Sequence, residues 1–394
     1  MKKKLVLAAT LSLIAGLLAI TAAPAQAAPV VCGQVILASV TLANDVGPCP
    51  ADGLVVGANN ITINLNGHKV YGVPTPQATI SYDVEVRANG QTLVDLEETG
   101  GVAYTATTGV GIRVGDPVTG ASTSVSGGYT NVTIQGPGEI TAFDAGVTLE
   151  SGGSHTVTGV NIHDNFSDAQ ATAVLYGDGV AINGSSGNSI TNNSITGNGP
   201  FSGVGMFGDA DNNTVNGNTI SDNARFADRS PLHHGAVGFT QETDGVRVEF
   251  FCDNNVVSNN TVTENGLDGI ALFARTLNNI VSDNTVHDNG YDAPLAQGAP
   301  QRLGDGIRLF NGNAAGTVLG PKDTIVEDNS VFNNAANGII VGNNSVNNDI
   351  LMNATGSNGT SAADYDLNDQ NPACDNNTWS GNTYDTANQA CTTL

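Results

Sequence analysis

Four aspartates stand directly before a glycine and an alternating apolar segment, and they are the first candidates for chemistry. They are Asp178, Asp244, Asp268 and Asp305. If the segments stack, adjacent carboxylates lie about 5 Å apart, as in retaining glycosidases, and alternate ones approach the upper end of the inverting range, about 6.5 to 9.5 Å. An Asp before Gly is also a common turn residue that bonds its own backbone. A Ca²⁺ ion held between these carboxylates is a third interpretation.

The residues between and after the apolar positions of these segments face outward, because side chains alternate along a strand. In successive segments the outward pairs are Gly205 with Phe207, Arg247 with Glu249, Ala271 with Phe273, and Arg308 with Phe310. Sugar rings stack on aromatic faces, and Arg binds carboxylate or sulfate through two hydrogen bonds. The pattern predicts a glycan site, to which the intervening sequence adds His233, His234, Tyr291 and Arg302.

Two kinds of role are open for this outward face. A desolvated Arg, His or Tyr can transfer a proton, so Arg247 and Arg308 are candidates for β-elimination next to a uronate carboxylate. Hydrolysis by Asp244, Asp268 or Asp305 is the second candidate reaction. The competing interpretation is structural: the phenylalanines form a covered hydrophobic ladder, and the arginines neutralise neighbouring acids. As outward-facing groups that bind a ligand, Arg247 and Arg308 are expected to contribute little to core stability.

These residues must be positioned by a repeat, which is clearest between Asn213 and Val286. The phrase N-x-V-x-x-N-x-V begins at Asn213, Asn255 and Asn279, with 24 residues between the last two. Apolar residues two apart suit short strands, and the intervening Asn marks a corner. Together with the segment that follows Asp-Gly, each repeat holds three strands. The sequence therefore predicts an all-β solenoid of about nine or ten coils with three parallel sheets.

Insertions fall at one corner of this repeat. Residues are added between Asn165 and Asp178, between Asn223 and Asp244, and between Asn289 and Asp305. Stacked coils place three such loops along one edge, where they can form the wall of a groove over the Asp-Gly sheet.

Charge and composition limit the partners. The chain carries a formal net charge of −24. Nucleic acids and anionic membranes require a basic surface, so both are excluded as partners. An acidic polysaccharide requires either a bridging cation or a local group of arginines. We expect a monomer that binds a polysaccharide or cell-surface glycan.

The chain divides into an export signal and one domain. Residues 1–28 combine Lys2, Lys3 and Lys4 with an apolar run and a small-residue cleavage site, which predicts a secreted protein. Residues 29–394 form a single domain, with an N-terminal cap at 29–58, an excursion at 73–108 and a C-terminal cap at 370–394. A non-catalytic cell-wall, adhesion or matrix protein of this shape is the third functional alternative.

The cysteines fall into close pairs at the ends of the domain. Cys32 with Cys49 and Cys374 with Cys391 are predicted disulfides, because end coils lack a neighbour and covalent closure replaces the missing packing. Cys252 is left over and is expected to be a buried free thiol.

Several motifs resemble those of right-handed parallel β-helix repeat proteins of the pectate-lyase-like superfamily. They are the Asn corners, the phrase N-I-T-I-N-L-N-G-H at 60–68, the D-G-I-x-L segments and the tail from Cys374 to Cys391. The resemblance covers the mature chain except 73–108 and implies that fold. The superfamily includes polysaccharide lyases, hydrolases, epimerases, phage-type receptor binders and proteins without known activity. The N-T-D, D-D and G-H-G signatures of polygalacturonases and the Asp/His signature of alginate epimerases are not found, so no catalytic residue is transferred.

Overall fold

The computed structural model describes residues 27–73, 80–86, 92–98, 109–115, 128–165, 177–199, 201–223, 244–290, 304–310, 319–359 and 361–393. In these residues three parallel sheets wind around one core, and each strand pairs with its copy in the next coil. The predicted fold class, an all-β solenoid with three parallel sheets, is confirmed.

The three sheets are called A, B and C in the order in which the chain first enters them. Sheet A contains twelve strands: Ala27–Ala28, Val40–Leu42, Thr62–Asn64, Thr133–Gln135, Thr156–Thr158, Ser189–Thr191, Thr214–Asn216, Val256–Ser258, Ile280–Ser282, Ile325–Glu327, Asp349–Leu351 and Thr378–Ser380. Sheet B contains eleven: Gln34–Ile36, Leu54–Val56, Val110–Val114, Ala145–Glu150, Val180–Asn183, Val204–Phe207, Val246–Val248, Ile270–Leu272, Ile307–Leu309, Ile339–Val341 and Leu367–Asp369. Sheet C contains ten: Val46–Cys49, Lys69–Gly72, Glu139–Thr141, Asn161–His163, Ser194–Thr196, Thr219–Ser221, Thr261–Thr263, Thr285–His287, Ser330–Phe332 and Ala354–Gly356.

The middle residue of each short strand points into the core. In sheet A, Val215, Val257, Val281, Val326 and Ile350 stack in register and are at most 1% exposed. Burial of such branched side chains is the main favourable term in folding. The stack continues to Trp379, which pairs with Ile350 and is 2% exposed, as expected for a large side chain that closes an open end.

Asparagines form ladders inside the corners. One ladder lies at the corner between sheets A and C and contains Asn193, Asn218, Asn260, Asn284 and Asn329. Oδ1 of Asn193 accepts the backbone N–H of Val160. Oδ1 of each later member accepts both the backbone N–H and an Nδ2 hydrogen of the ladder Asn in the preceding coil. The residue before each ladder Asn is Gly, Asn or Asp in the left-handed region, which these residues tolerate best. This requirement explains the repeated phrase in the sequence.

The ends are closed as predicted. Cys32 pairs with Cys49 and Cys374 with Cys391, with Cα–Cα distances of 5.3 and 6.1 Å. Cys252 is a buried free thiol, and burial raises its pKa to about 12. Short 3-10 helices at Pro372–Cys374 and Ala390–Thr393 carry the C-terminal disulfide.

Two further regions bear on the predicted divisions of the chain. Within 73–108, strands Ile80–Val86 and Thr92–Glu98 form a separate antiparallel two-stranded sheet. Residues 1–26, which contain most of the predicted signal, lie outside the described residues. In the part of the chain that the structure describes, no helix is long and apolar enough to cross a membrane.

Candidate functional site

The outer face of sheet B collects the basic residues predicted from the Asp-Gly segments. Arg247 is in register with Ala271, and Ala271 with Arg308. The two arginines therefore lie two strands apart, about 10 Å along the sheet. Phe207, Glu249, Phe273 and Phe310 occupy the next outward position in consecutive coils.

Arg247 is buried in a saturated ion-pair network. Its Nη1 lies 3.0 Å from Asp244 Oδ2, and its Nη2 lies 2.7 Å from Glu249 Oε2. The guanidinium also stacks on the Phe273 ring, 3.8 Å from the centroid. Arg247 is 3% exposed. Outward orientation thus does not mean solvent exposure here, and the buried ion pairs of Arg247 predict a contribution to stability.

Arg308 is held more loosely. Its Nη1 lies 3.5 Å from Asp268 Oδ2 and 3.7 Å from Asp305 Oδ2, distances at the limit of hydrogen bonding. Its Nε finds no hydrogen-bond acceptor among the residues that the structure describes. The guanidinium carbon lies 4.4 Å from the centroid of the Phe310 ring, and 12% of the side chain is exposed. Arg308 therefore makes weaker polar contacts than Arg247, and part of its side chain reaches the surface of the sheet.

The four aspartates bond the next coil rather than their own turn. Oδ1 of Asp178, Asp244, Asp268 and Asp305 accepts the backbone N–H of Ser202, Asp268, Asp305 and Asn337, respectively, at 2.8 to 3.1 Å. Each carboxylate thus joins two coils at the entrance to sheet B. The turn role expected from the sequence is replaced by this inter-coil bond, which requires the stacked fold.

Burial makes this column electrostatically unusual. Burial and the neighbouring charge of Asp268 raise the pKa of Asp244 to about 8, against the opposing effect of Arg247. The same two causes raise the pKa of Asp305 to about 7. Stacked carboxylates in a poorly solvated column disfavour full ionisation, so the column holds a proton near neutral pH.

The aromatic residues form a partial ladder. Phe273 and Phe310 meet edge to face, with ring centroids 5.9 Å apart. Phe207 occupies the same outward column, and all three side chains are half-buried. The structural interpretation, in which an arginine neutralises neighbouring acids, thus describes Arg247 with Asp244 and Glu249. Half-buried rings beside Arg308 still offer a surface to a ligand.

Other predicted site residues lie in the loops. His233, His234, Tyr291 and Arg302 are outside the described residues. The structure does place the ends of those loops together. Asn165, Asn223 and Asn289 belong to a second Asn ladder, whereas Asp178, Asp244 and Asp305 all open strands of sheet B.

The sequence reading missed a further arginine on the same face. Arg113 lies in register with Thr148 on sheet B, and its Nε lies 2.9 Å from Asp52 Oδ2. Its Nη1 lies 3.5 Å from Glu150 Oε1. The sequence signal for Arg113 is the G-I-R-V segment that follows Val110. This segment has no Asp before its Gly, because the acidic partner, Asp52, comes from the coil that precedes the excursion at 73–108.

No group of three His, Cys, Asp or Glu side chains suited to a metal ion is present within the described ranges. Arginine nitrogens occupy the positions between the carboxylates where the sequence allowed Ca²⁺.

With the coils and the face described, the class of protein follows. Residues 120–355 match the family model for the right handed beta helix region, and the chain belongs to that family. No curated protein matches the sequence closely enough to count as a relative.

Solved structures with similar chains include a mutant of a periplasmic alginate epimerase, at 14% identity over 85% of this chain and 70% of the other, with a TM-score of 0.46. An alginate lyase from a Paenibacillus species has 14% identity over 91% of this chain and 98% of its own, with a TM-score of 0.45. The Dettilon tailspike protein has 16% identity over 92% and 59%, with a TM-score of 0.46. At these identities and scores, the similarities carry no functional assignment.

Proposed function

We propose that this β-helix binds an acidic polysaccharide across the outer face of sheet B, with Arg308 as the carboxylate-binding group. The observation that carries the proposal is the unsatisfied guanidinium. Arg308 has only long contacts to Asp268 and Asp305, and its Nε is unpartnered among the described residues. A carboxylate that approaches the exposed part of this side chain gains shorter, charge-assisted hydrogen bonds than those that Asp268 and Asp305 provide.

The neighbouring rings suit a sugar. Phe273 and Phe310 are half-buried and set edge to face beside Arg308. The apolar face of a pyranose ring can pack on such rings while its carboxylate contacts the guanidinium. Arg247, saturated by Asp244 and Glu249, then serves to hold Phe273 in place rather than to contact the ligand.

Two reactions are compatible with such binding. In β-elimination, Arg308 neutralises the uronate carboxylate, and a group from the loops that contain His233, His234 or Tyr291 removes the adjacent proton. A C=C bond forms as the glycosidic C–O bond breaks, and the departing oxygen takes up a proton from an acid or from water. In hydrolysis, Asp305, whose pKa is raised to about 7, protonates the leaving glycosidic oxygen while Asp268 in the adjacent coil attacks the anomeric carbon, and water then hydrolyses the glycosyl-enzyme bond. The raised pKa of Asp305 suits a proton donor, and hydrolysis is therefore the second candidate reaction. Export to the cell exterior is part of the proposal, on the basis of residues 1–28.

The test is a binding and product screen with purified protein. Polyuronates and neutral glucans are offered to the parent and to Arg308→Gln, with Lys69→Gln as a control of equal charge change on sheet C. We expect polyuronate binding that Arg308→Gln weakens roughly tenfold, with the control unchanged. Unsaturated uronate absorbance indicates elimination, and new reducing ends without that absorbance indicate hydrolysis.

Binding without either product supports the non-catalytic alternative of a cell-wall, adhesion or matrix protein. If Arg308→Gln binds every polyuronate as tightly as the parent, the face of sheet B is not the site.

A further inference from the structure

The corner between sheets B and A exposes large apolar side chains in three consecutive coils. Phe250 is 51% exposed and Phe251 47%, and in the two coils that follow Leu277 is 37% and Leu319 69% exposed. Exposed apolar side chains that lie together on a surface commonly mark a binding site. We call this surface, with its two neighbouring cations, the corner ledge: Phe250, Phe251, Arg275, Leu277, Leu319 and Lys322.

The two phenylalanines occupy backbone positions that disfavour them. Phe250 and Phe251 have φ of 49° and 65°, in the left-handed region. In the preceding coil the same positions hold Gly208 and Asp209, with φ of 60° and 61°. Gly and Asp adopt this conformation readily, whereas a bulky aromatic is strained there. Because the two rings are open to solvent, core packing does not compensate for that strain, and a ligand contact explains their presence better.

Two cations accompany the apolar group. The exposed Arg275 guanidinium lies 5.4 Å from the centroid of the Phe251 ring, and its backbone N–H donates to Leu319. Lys322 pairs in register with Leu277, and its ammonium is 3.4 Å from Asp323. In a chain with a net charge of −24, cations beside exposed aromatics complement an anionic ligand that also has apolar faces.

The adjoining face of sheet A changes character in the same coils. The outward column reads Thr133, Thr156, Ser189 and Thr214 before the ledge. It then becomes Val256, Ile280 and Ile325 in the three ledge coils, and returns to polar at Asp349. This short apolar window borders the ledge and enlarges its surface.

We propose that the corner ledge is a second binding surface for acidic glycans, one corner away from Arg308 on the same coils. Pyranose rings pack on Phe250 and Phe251, and Arg275 and Lys322 contact the carboxylates. The inference rests on the proposed function for its ligand class. A polyuronate fits this surface because its carboxylates match the two cations and its pyranose faces match the exposed rings. Occupation of both surfaces by one chain would raise apparent affinity for polymers above that for short oligomers.

The neighbouring coil supplies the test variant. The double change Phe250→Gly with Phe251→Asn introduces residues that tolerate the left-handed region, as Gly208 and Asp209 do in the preceding coil, so the corner conformation is preserved and no charge is added. We expect an unchanged or higher melting temperature and roughly fivefold weaker binding of polygalacturonate, with Arg275→Gln adding to the loss. Met352→Asn is the matched control, since Met352 is also an exposed apolar residue with positive φ, at a different corner.

The outcomes separate this inference from the proposed function. If the ledge variant binds polygalacturonate more weakly and Arg308→Gln binds it as the parent does, the corner ledge is supported and the proposed site on the face of sheet B is overturned. If only Arg308→Gln weakens binding, the proposed site on the face of sheet B is supported and the corner ledge is overturned as a binding surface. The ledge is also overturned if polygalacturonate does not bind the parent, or if the ledge variant changes only self-association in sedimentation experiments.

Discussion

Two polar stacks run along this solenoid, and they are built from different chemistry. At the corner between sheets A and C, Asn218, Asn260 and Asn284 donate to and accept from one another at about 3.0 Å and are at most 2% exposed. At the entrance to sheet B, Asp244, Asp268 and Asp305 are equally buried. An amide both donates and accepts, so a stack of amides satisfies itself. Ionised carboxylates only accept and repel one another, so their stack requires arginines, backbone N–H groups and bound protons.

The comparison separates a structural stack from a reactive one. The Asn ladder leaves nothing for a ligand to satisfy. In the Asp column, Asp244 and Asp305 have raised pKa values, and a loosely held Arg308 lies beside them. The functional surface therefore lies beside the stack that cannot satisfy itself.

The largest expected effect comes from removing the saturated arginine of the Asp column. Arg247→Ala leaves Asp244 and Glu249 buried without their partner, and we expect the free energy of unfolding to fall by about 3 to 5 kcal/mol. Arg308→Ala, whose contacts to Asp268 and Asp305 are longer, is the matched control and should cost clearly less. Chemical denaturation measures both. Equal losses would show that the two arginines are held alike and would remove the distinction drawn between them.

The next largest effect tests the amide ladder. Asn260 Oδ1 accepts from the backbone and side chain of Asn218, and its Nδ2 donates to Val215 and Asn284. Asn260→Ala leaves these buried groups unpaired and should lower the free energy of unfolding by about 3 kcal/mol. Asn382→Ala, at the half-buried end of the ladder, should cost clearly less. A melting temperature equal to the parent's for Asn260→Ala would contradict a self-satisfying stack.

The smallest effect is the pH dependence of stability. Asp244 and Asp305 have folded-state pKa values raised to about 8 and about 7, so the folded state binds more protons than the unfolded state above about pH 4. Their contribution is fully present below the unfolded pKa and is lost as pH rises through the folded values. The double variant Asp244→Asn with Asp305→Asn should flatten this decline between about pH 5 and pH 8, which chemical denaturation at a series of pH values measures.

His155 provides the control of opposite sign. It occupies an Asn position at the start of a ladder, and burial lowers its pKa to about 4. Its contribution is present above the unfolded value of 6.5 and is lost as pH falls towards about 4. His155→Asn should flatten the acid side of the stability curve and leave the side above neutral pH unchanged. An effect of His155→Asn above neutral pH would contradict this assignment.

The fold is predictable from the amino-acid sequence, because the repeat is a local property. The spacing of Val215 and Asn218 specifies strand, corner and strand within one coil, and its return at Asn255 and Asn279 specifies stacking. Alternation along the D-G-I-x-L segments placed Arg247, Ala271 and Arg308 on one outer face without coordinates. The close spacing of Cys32 with Cys49 and of Cys374 with Cys391 was likewise sufficient for the end disulfides.

Which of these side chains find close hydrogen-bond partners depends on the tertiary structure. Arg247 and Arg308 sit in the same motif, yet one is saturated at 2.7 to 3.0 Å and the other is left at 3.5 to 3.7 Å. Arg113 receives its partner Asp52 from across the excursion, a contact that no local pattern contains. Hydrogen-bond satisfaction and burial depend on atoms contributed by other coils, whereas the repeat that stacks those coils depends only on the residues within each one.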